Sequence, residues 1–187
     1  MNMDMQSVKN AAEWINDNFE ESETVKVGVC NYPDYPFLVT REEGILDALK
    51  ELAPNANVEV TAKAGYTPEG VDVGDAWVQS NKDLNVVVGI NDAGVLGVYE
   101  SFKSAGIKND KLGMFGGDAV DDALAAIEEG GAFKATVSTN MLKNANYFID
   151  MAVELAKNGK LEEREKLFPL EGITADNVEE YKKSIEE

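Results

Sequence analysis

The feature that most constrains this chain is a repeat of unlike parts: a short apolar run followed by an amphipathic helix, met five times in succession. Leu84 to Ile90 is the most apolar of the runs, and a strand of that kind needs cover on both of its faces. The other strands are expected at Val25 to Cys30, Asn57 to Thr61, Leu112 to Phe115 and Phe133 to Val137, with the second alternating as an edge strand does. Ahead of them, Val8, Ala11, Ala12, Ile15 and Phe19 keep helical spacing, so residues 6–19 should form a helix. Thr40 to Glu43 has the form of a capping box opening a helix with apolar face Ile45, Ala48, Leu49 and Leu52. Thr67-Pro68-Glu69 opens another, weakened by Gly70 and Gly74. Further helices are expected from Asp92 to Ala105, closed by Gly106, from Val120 to the Gly130-Gly131 pair, and from Met141 to Lys157. In the tail, Leu161 to Lys166 is mostly charged, Leu167 to Leu170 reads as a short strand, and Thr174 as the cap of a brief acidic helix. The expected fold is one α/β lobe over residues 1–187. It is a doubly wound parallel sheet of five strands in the order 2-1-3-4-5 with helices on both faces, whose ligands sit at the carboxyl ends of the strands.

Composition removes several functions. At 187 residues and 44% hydrophobic content, the chain can bury one substantial core. Thirty-five acidic residues against 17 basic ones give a formal net charge of -18, a surface that repels nucleic-acid phosphates and anionic lipid headgroups. There is no His, which removes the commonest general base and metal ligand. The single Cys, Cys30, ends an apolar run and reads as a small buried hydrophobe. No apolar stretch is long enough to span a bilayer, and Met1-Asn2-Met3-Asp4-Met5 lacks the regions of a secretory signal. A phosphoacceptor receiver would need an acidic pair after the first strand, where Cys30-Asn31 stands. A flavodoxin would need a glycine- and hydroxyl-rich phosphate loop where Tyr32-Pro33-Asp34-Tyr35-Pro36 stands. No enzyme, metal or cofactor is therefore expected.

The strand ends carry the chemistry. Asn31, Tyr32, Tyr35, Phe37 and Arg41 follow the first strand, Gly65-Tyr66 the second, Asn91-Asp92 the third, Gly116-Gly117-Asp118 the fourth, and Ser138-Thr139-Asn140 the fifth. Forked planar groups such as Asn, Asp and Arg each take two hydroxyls, and aromatic rings take the apolar C–H faces of a sugar. Singly, each has a plainer role: Asn91, Asp92 or Asp118 as a helix cap, Arg41 as a solvated side chain in a first helical turn, Tyr32, Tyr35 and Phe37 as packing for a proline-rich loop. Their shared placement favours a ligand site, and on that placement Asn31 and Tyr35 join the candidate contacts.

Gly89-Ile90-Asn91-Asp92-Ala93-Gly94-Val95-Leu96-Gly97, followed by Lys103-Ser104-Ala105-Gly106, resembles the N-D-x-x-A-x-G…L-K-x-A-G signature of the type I periplasmic binding proteins of the ribose and galactose group. Gly116-Gly117-Asp118 resembles that family's G-x-D, Gly130 to Val137 its G-x-x-x-A-T-V strand, and Thr40 to Gly44 the R-x-x-G of its C-terminal lobe. The resemblance implies a pair of lobes that close on one sugar by hinge motion, of which this chain is the C-terminal one and the N-terminal lobe is absent. It implies that Arg41, Asn91 and Asp118 bind sugar hydroxyls, that Tyr66 approaches the ligand, and that Thr139 stands where many members carry Gln, with Asn140 next to it able to substitute. Gly94 and Val95 depart from the usual Met and Ala, which should alter packing only. The implied partners are a small-molecule sugar and the permease of an ABC transporter outside the cytoplasm. A surface left bare by the absent lobe, near Met1 to Asn10 and the tail, would favour homodimers. The effector core of a LacI-type regulator shares this lobe, but the proline that group carries before the fourth strand is replaced by Lys108-Asn109-Asp110-Lys111.

Overall fold

Alternate residues of the strands feed two separate apolar layers, one on each face of the sheet. The structure, a computed structural model, describes residues 3–107, 109–162 and 170–186. α1 (Met3–Asn18) buries Val8, Ala11, Ala12 and Ile15, the stripe its spacing demands, and lies with α2 (Pro36–Leu52) on one face. There they meet Val25, Val27 and Val29 of β1 (Val25–Asn31) and Val86 and Val88 of β3 (Val86–Gly89). The opposite layer takes Val87 of β3 and Met114 of β4 (Gly113–Phe115), covered by α3 (Thr67–Ser80), α4 (Asp92–Ser104), α5 (Asp121–Glu128) and α7 (Val178–Glu186). Cys30 is fully buried in that layer and burial pushes its thiol up to about 12, as a packing residue requires.

The sheet order is β2-β1-β3-β4-β5-β6, with β2 (Ala56–Lys63) at one edge and β5 (Phe133–Ser138) inside the other. The first five strands are parallel and in the expected order. A sixth, β6 (Glu171–Thr174), adds antiparallel to β5. The expectation of five strands and of Thr174 as a helix cap is corrected accordingly. Thr174 closes β6, and its hydroxyl accepts from the Asp176 amide in the turn before α7. The strand expected at 167–170 lies, but for its last residue, outside the described residues.

Two further readings change. The helix after β1 starts at Pro36 rather than Thr40, because proline's fixed φ suits a first helical position; Thr40 lies inside it and donates to the Pro36 carbonyl. Gly70 and Gly74 of α3, poor helix formers by themselves, are the points at which it meets α4. A Cβ on Gly70 would strike the Gly94 carbonyl, one on Gly74 would stand 2.7 Å from the Ser101 Cβ, and one on Gly94 would strike the Ala64 carbonyl. Glycine is what lets α3 and α4 approach backbone to backbone, and Ser101 seals the contact by donating to the Val71 carbonyl at 3.1 Å.

α6 (Met141–Asn158) stands apart: among its described side chains none is buried. Met141, Ala145, Phe148, Ala152 and Leu155 follow one another at spacings of four and three, so they share one face, and all five are exposed. Phe148 is 59% and Met141 77% exposed, so this helix turns its apolar stripe to solvent. No helix among the described residues is long and apolar enough to cross a membrane.

Candidate functional site

The parallel strands all end on one side of the sheet, and the loops there bring four aromatic rings together. Tyr32 and Tyr35 stack at 5.8 Å between centroids, Tyr66 meets Tyr32 edge-on at 5.5 Å and 89°, and Phe37 lies 5.9 Å from Tyr35. Tyr32 lies close against Gly65, where a Cβ would collide with its ring. The Lys63 ammonium sits over the Tyr32 ring, 4.4 Å from its centre, and Lys63 also bridges Asp34. These contacts hold a loop whose outer rings remain in solvent: Tyr35 is 49% exposed, Tyr66 57% and Phe37 65%. Rings packing a loop for its own stability would be covered, and these are not. With Leu38, Gly65, Ile90 and Asn91 they line a shallow cavity of about 230 Å³.

Polar groups border the rings. Asn91 caps α4, its Oδ1 accepting from the Gly94 amide at 3.1 Å, and its Nδ2 donates to the Gly65 carbonyl at 2.8 Å. Both uses are structural, yet an amide has two N–H groups and two lone pairs, so half of its capacity remains. Arg41 extends from α2 to donate through Nη1 to the Ile90 carbonyl at 3.0 Å. Asp118 is not a cap, since α5 starts only at Asp121 behind Val120. Partial burial raises its carboxyl above the usual range, and the Arg41 charge pulls it back, which places the two within electrostatic reach. Asn31, at the end of β1, donates to Glu42 at 2.8 Å.

Thr139 and Asn140 lie off the aromatic cavity at the end of β5. Asn140 is buried with a left-handed backbone (φ 50°), its amide donating to the Ser138 hydroxyl at 2.9 Å, and that hydroxyl pairs with Tyr181 of α7 at 2.7 Å. The half-buried Thr139 gives its carbonyl to Asn144. Of the eight candidates, then, Tyr35, Tyr66 and Asn91 line one cavity, the Arg41 charge lowers the carboxyl of Asp118, and Asn31, Thr139 and Asn140 stand at the flanking strand ends. Tyr32, Phe37 and Leu38 line the cavity too; the two rings stand in the strand-end segment that the sequence singles out, whereas nothing in the sequence marks Leu38. Among the described residues no group of Cys, Asp and Glu is arranged to hold a metal ion.

A doubly wound α/β lobe of this topology, with its polar and aromatic groups gathered at the strand ends, has the architecture of periplasmic-type binding proteins. The chain belongs to the periplasmic binding protein domain family, whose pattern matches residues 6–161. A protein of Rhizobium meliloti that carries the provisional name of rhizopine-binding protein is 31% identical over 113 residues, 60% of this chain and 36% of that one. In fold, the chain is similar to a Caulobacter myo-inositol binding protein bound to myo-inositol (TM-score 0.80, 23% identity, covering 99% of this chain and 62% of that one). It is also similar to an ABC transporter periplasmic solute binding protein from Actinobacillus succinogenes with bound D-allose (TM-score 0.82, 19% identity, 96% and 61%). The chain thus spans about three fifths of those solved structures, and its matched stretch little more than a third of the curated relative.

Proposed function

We propose that this chain is one lobe of an extracytoplasmic solute-binding protein that takes a sugar or related polyol and hands it to an ABC transporter, without catalysis. The observation that carries the reading is the convergence of exposed rings (Tyr35, Phe37, Tyr66) with Asn91, Arg41 and Asp118 at the strand ends. Rings offer flat apolar faces to C–H groups, and the forked groups offer paired donors and acceptors to hydroxyls. Contacts from a second lobe would complete the site, and closure about a hinge would follow from a ligand that touches both lobes only when they are shut. Two observations support a second lobe: the cavity is shallow, and the apolar stripe of α6 is left in solvent. The greater length of the relatives agrees with it.

The test is titration of the isotopically labelled chain with pentoses, hexoses and inositols, read by amide chemical shifts. Alone, the lobe should bind weakly, in the millimolar range or above, because half the contacts and the exclusion of water are missing, a range worth about 4 kcal/mol. The largest shifts should fall at Tyr66, Asn91 and Asp118. Shifts centred elsewhere, or submicromolar affinity for the lone lobe, would sink the reading.

A further inference from the structure

The loop that carries Asp118 is held in a costly shape by two residues that never reach the surface. Asp118 and Ala119 have φ of 118° and 55°, two consecutive side-chain-bearing residues on the positive side, where only glycine is at ease. Such backbone persists only where its surroundings dictate it. Here they do. The Asp92 amide donates to the Gly117 carbonyl at 2.7 Å, and its Oδ2 accepts from the Val120 amide at 3.0 Å. The Thr136 hydroxyl donates to Asp92 Oδ1 at 2.7 Å and accepts from the Ala119 amide at 3.1 Å. The Asp118 amide donates to the Val137 carbonyl at 2.8 Å. Gly116 rests directly on the carboxylate, since a Cβ there would run into Asp92 Oδ1. Asp92 and Thr136 are both wholly buried.

A carboxylate at the first position of α4 gains from the helix's positive end, which offsets part of its burial cost. Capping is already done by Asn91, however, so the cap does not explain Asp92. Its two oxygens point away from α4, one to the amide of the next loop and one to the next strand. It therefore ties together three strand ends: its own, behind Asn91; that of β4, with Asp118; and β5, through Thr136.

We propose that Asp92 and Thr136 are the positioning residues of the binding site, a buried latch that sets loop 116–120 and with it the backbone that carries Asp118. The latch rests on the reading of Asp118 as a ligand contact, but its structural half can be tested alone. In a solute-binding lobe the latch makes Asp118 a specificity element: its orientation is fixed before the ligand arrives, which lowers the ordering cost of binding and rejects ligands that need another geometry.

The experiment compares Thr136→Val, Thr136→Ser and Asp92→Asn with the parent chain by amide hydrogen exchange. Exchange at 118–120 is normalised to Val87 and Val88 in the central strand, which report global opening. Thr136→Val keeps shape and volume but removes the hydroxyl that bridges the Ala119 amide and Asp92. Exchange in the loop should rise about tenfold relative to the strand, and Thr136→Ser should restore it. Loop and strand moving together, or no change in the loop, would overturn the latch. In parallel, titration with D-allose and myo-inositol should show Thr136→Val weakening whatever affinity Asp118→Ala weakens, with Thr136→Ser close to the parent. If Asp118→Ala weakens binding and Thr136→Val leaves it intact, the positioning role is overturned. If neither sugar moves any amide of the parent chain, the sugar-binding reading fails, and the exchange result still decides whether the latch exists.

Discussion

Arg41 Nη1 donates to the carbonyl oxygen of Ile90 at 3.0 Å, joining the second turn of α2 to the end of the neighbouring β3. The same guanidinium lowers the carboxyl of Asp118 against the burial that raises it. Replacing Arg41 by Met should therefore shift the Asp118 titration midpoint upward, observable by carboxyl carbon NMR. It should also lower stability by about 1 kcal/mol, the usual cost of an unpaired carbonyl in a partly buried place. Arg41→Lys keeps the charge and should keep most of the Asp118 midpoint while losing the planar fork that donates to the Ile90 carbonyl. An Asp118 midpoint indifferent to Arg41→Met would show that the two are not coupled.

Two glycines, Gly94 in α4 and Gly130 just beyond α5, separate two kinds of cost. Gly94→Ala puts a methyl group onto the Ala64 carbonyl, which belongs to backbone and cannot swing away, so α4 must move off the end of β2. We expect a loss of about 3 kcal/mol in chemical denaturation, the upper part of the range for overpacking. Gly130→Ala meets open space and suffers only from its positive φ of 74°, about 1 kcal/mol. Equal losses for the two would mean that the contact of α4 with the Ala64 backbone is looser than these distances describe.

Much of this was legible in the sequence, and the exceptions have physical causes. Strand order, the two-faced cover of Val86 to Val88 and the grouping of Asn91 and Asp118 at one edge followed from apolar runs and their punctuation. β6 did not, because Glu171-Gly172-Ile173-Thr174 buries only Ile173 and owes its place to pairing with β5, a long-range contact that leaves no local pattern. The start of α2 was misplaced because a capping-box sequence at Thr40 competed with Pro36, and the proline's fixed φ prevailed. The left-handed loop at Asp118 was invisible for a different reason: its cause is a buried carboxylate 26 residues upstream, and neither Asp118 nor Ala119 advertises a positive φ.

Asp92 makes stability depend on pH in an unusual direction for a carboxylate. Burial, the dominant cause, raises its pKa from 3.8 to about 6, with the hydrogen bonds from Thr136 and Val120 opposing it. The folded state therefore holds this proton more tightly than the unfolded chain, and folding takes up a proton between those two values. The contribution of Asp92 is most favourable below about pH 4 and is lost as pH rises towards about 6, on the order of 3 kcal/mol in all. Carboxyl carbon NMR should find Asp92 titrating near the top of that window. Denaturation of Asp92→Asn should lack the corresponding part of the slope. A parent and variant with parallel pH profiles would remove Asp92 as the cause.

The stripe on α6 makes a prediction that the stability of the lobe itself should ignore. Phe148, Ile149 and Leu155 are 59%, 61% and 48% exposed, so Phe148→Asp and Leu155→Asp take little from the core, and each should change stability by about 0.5 kcal/mol or less. What they should change is association. Ala145 and Ala152 alternate with Met141, Phe148 and Leu155, an arrangement in which large side chains of one helix can settle against small ones of another. In a chain carrying -18 charges, which repel between copies, no charged residue stands on that stripe. Sedimentation of the parent chain at rising concentration should therefore show reversible self-association through this face. Both aspartate variants should reduce it. A parent chain that stays monomeric throughout would count against the stripe as a contact surface, and a Phe148→Asp variant that unfolds would show instead that α6 packs inside the lobe.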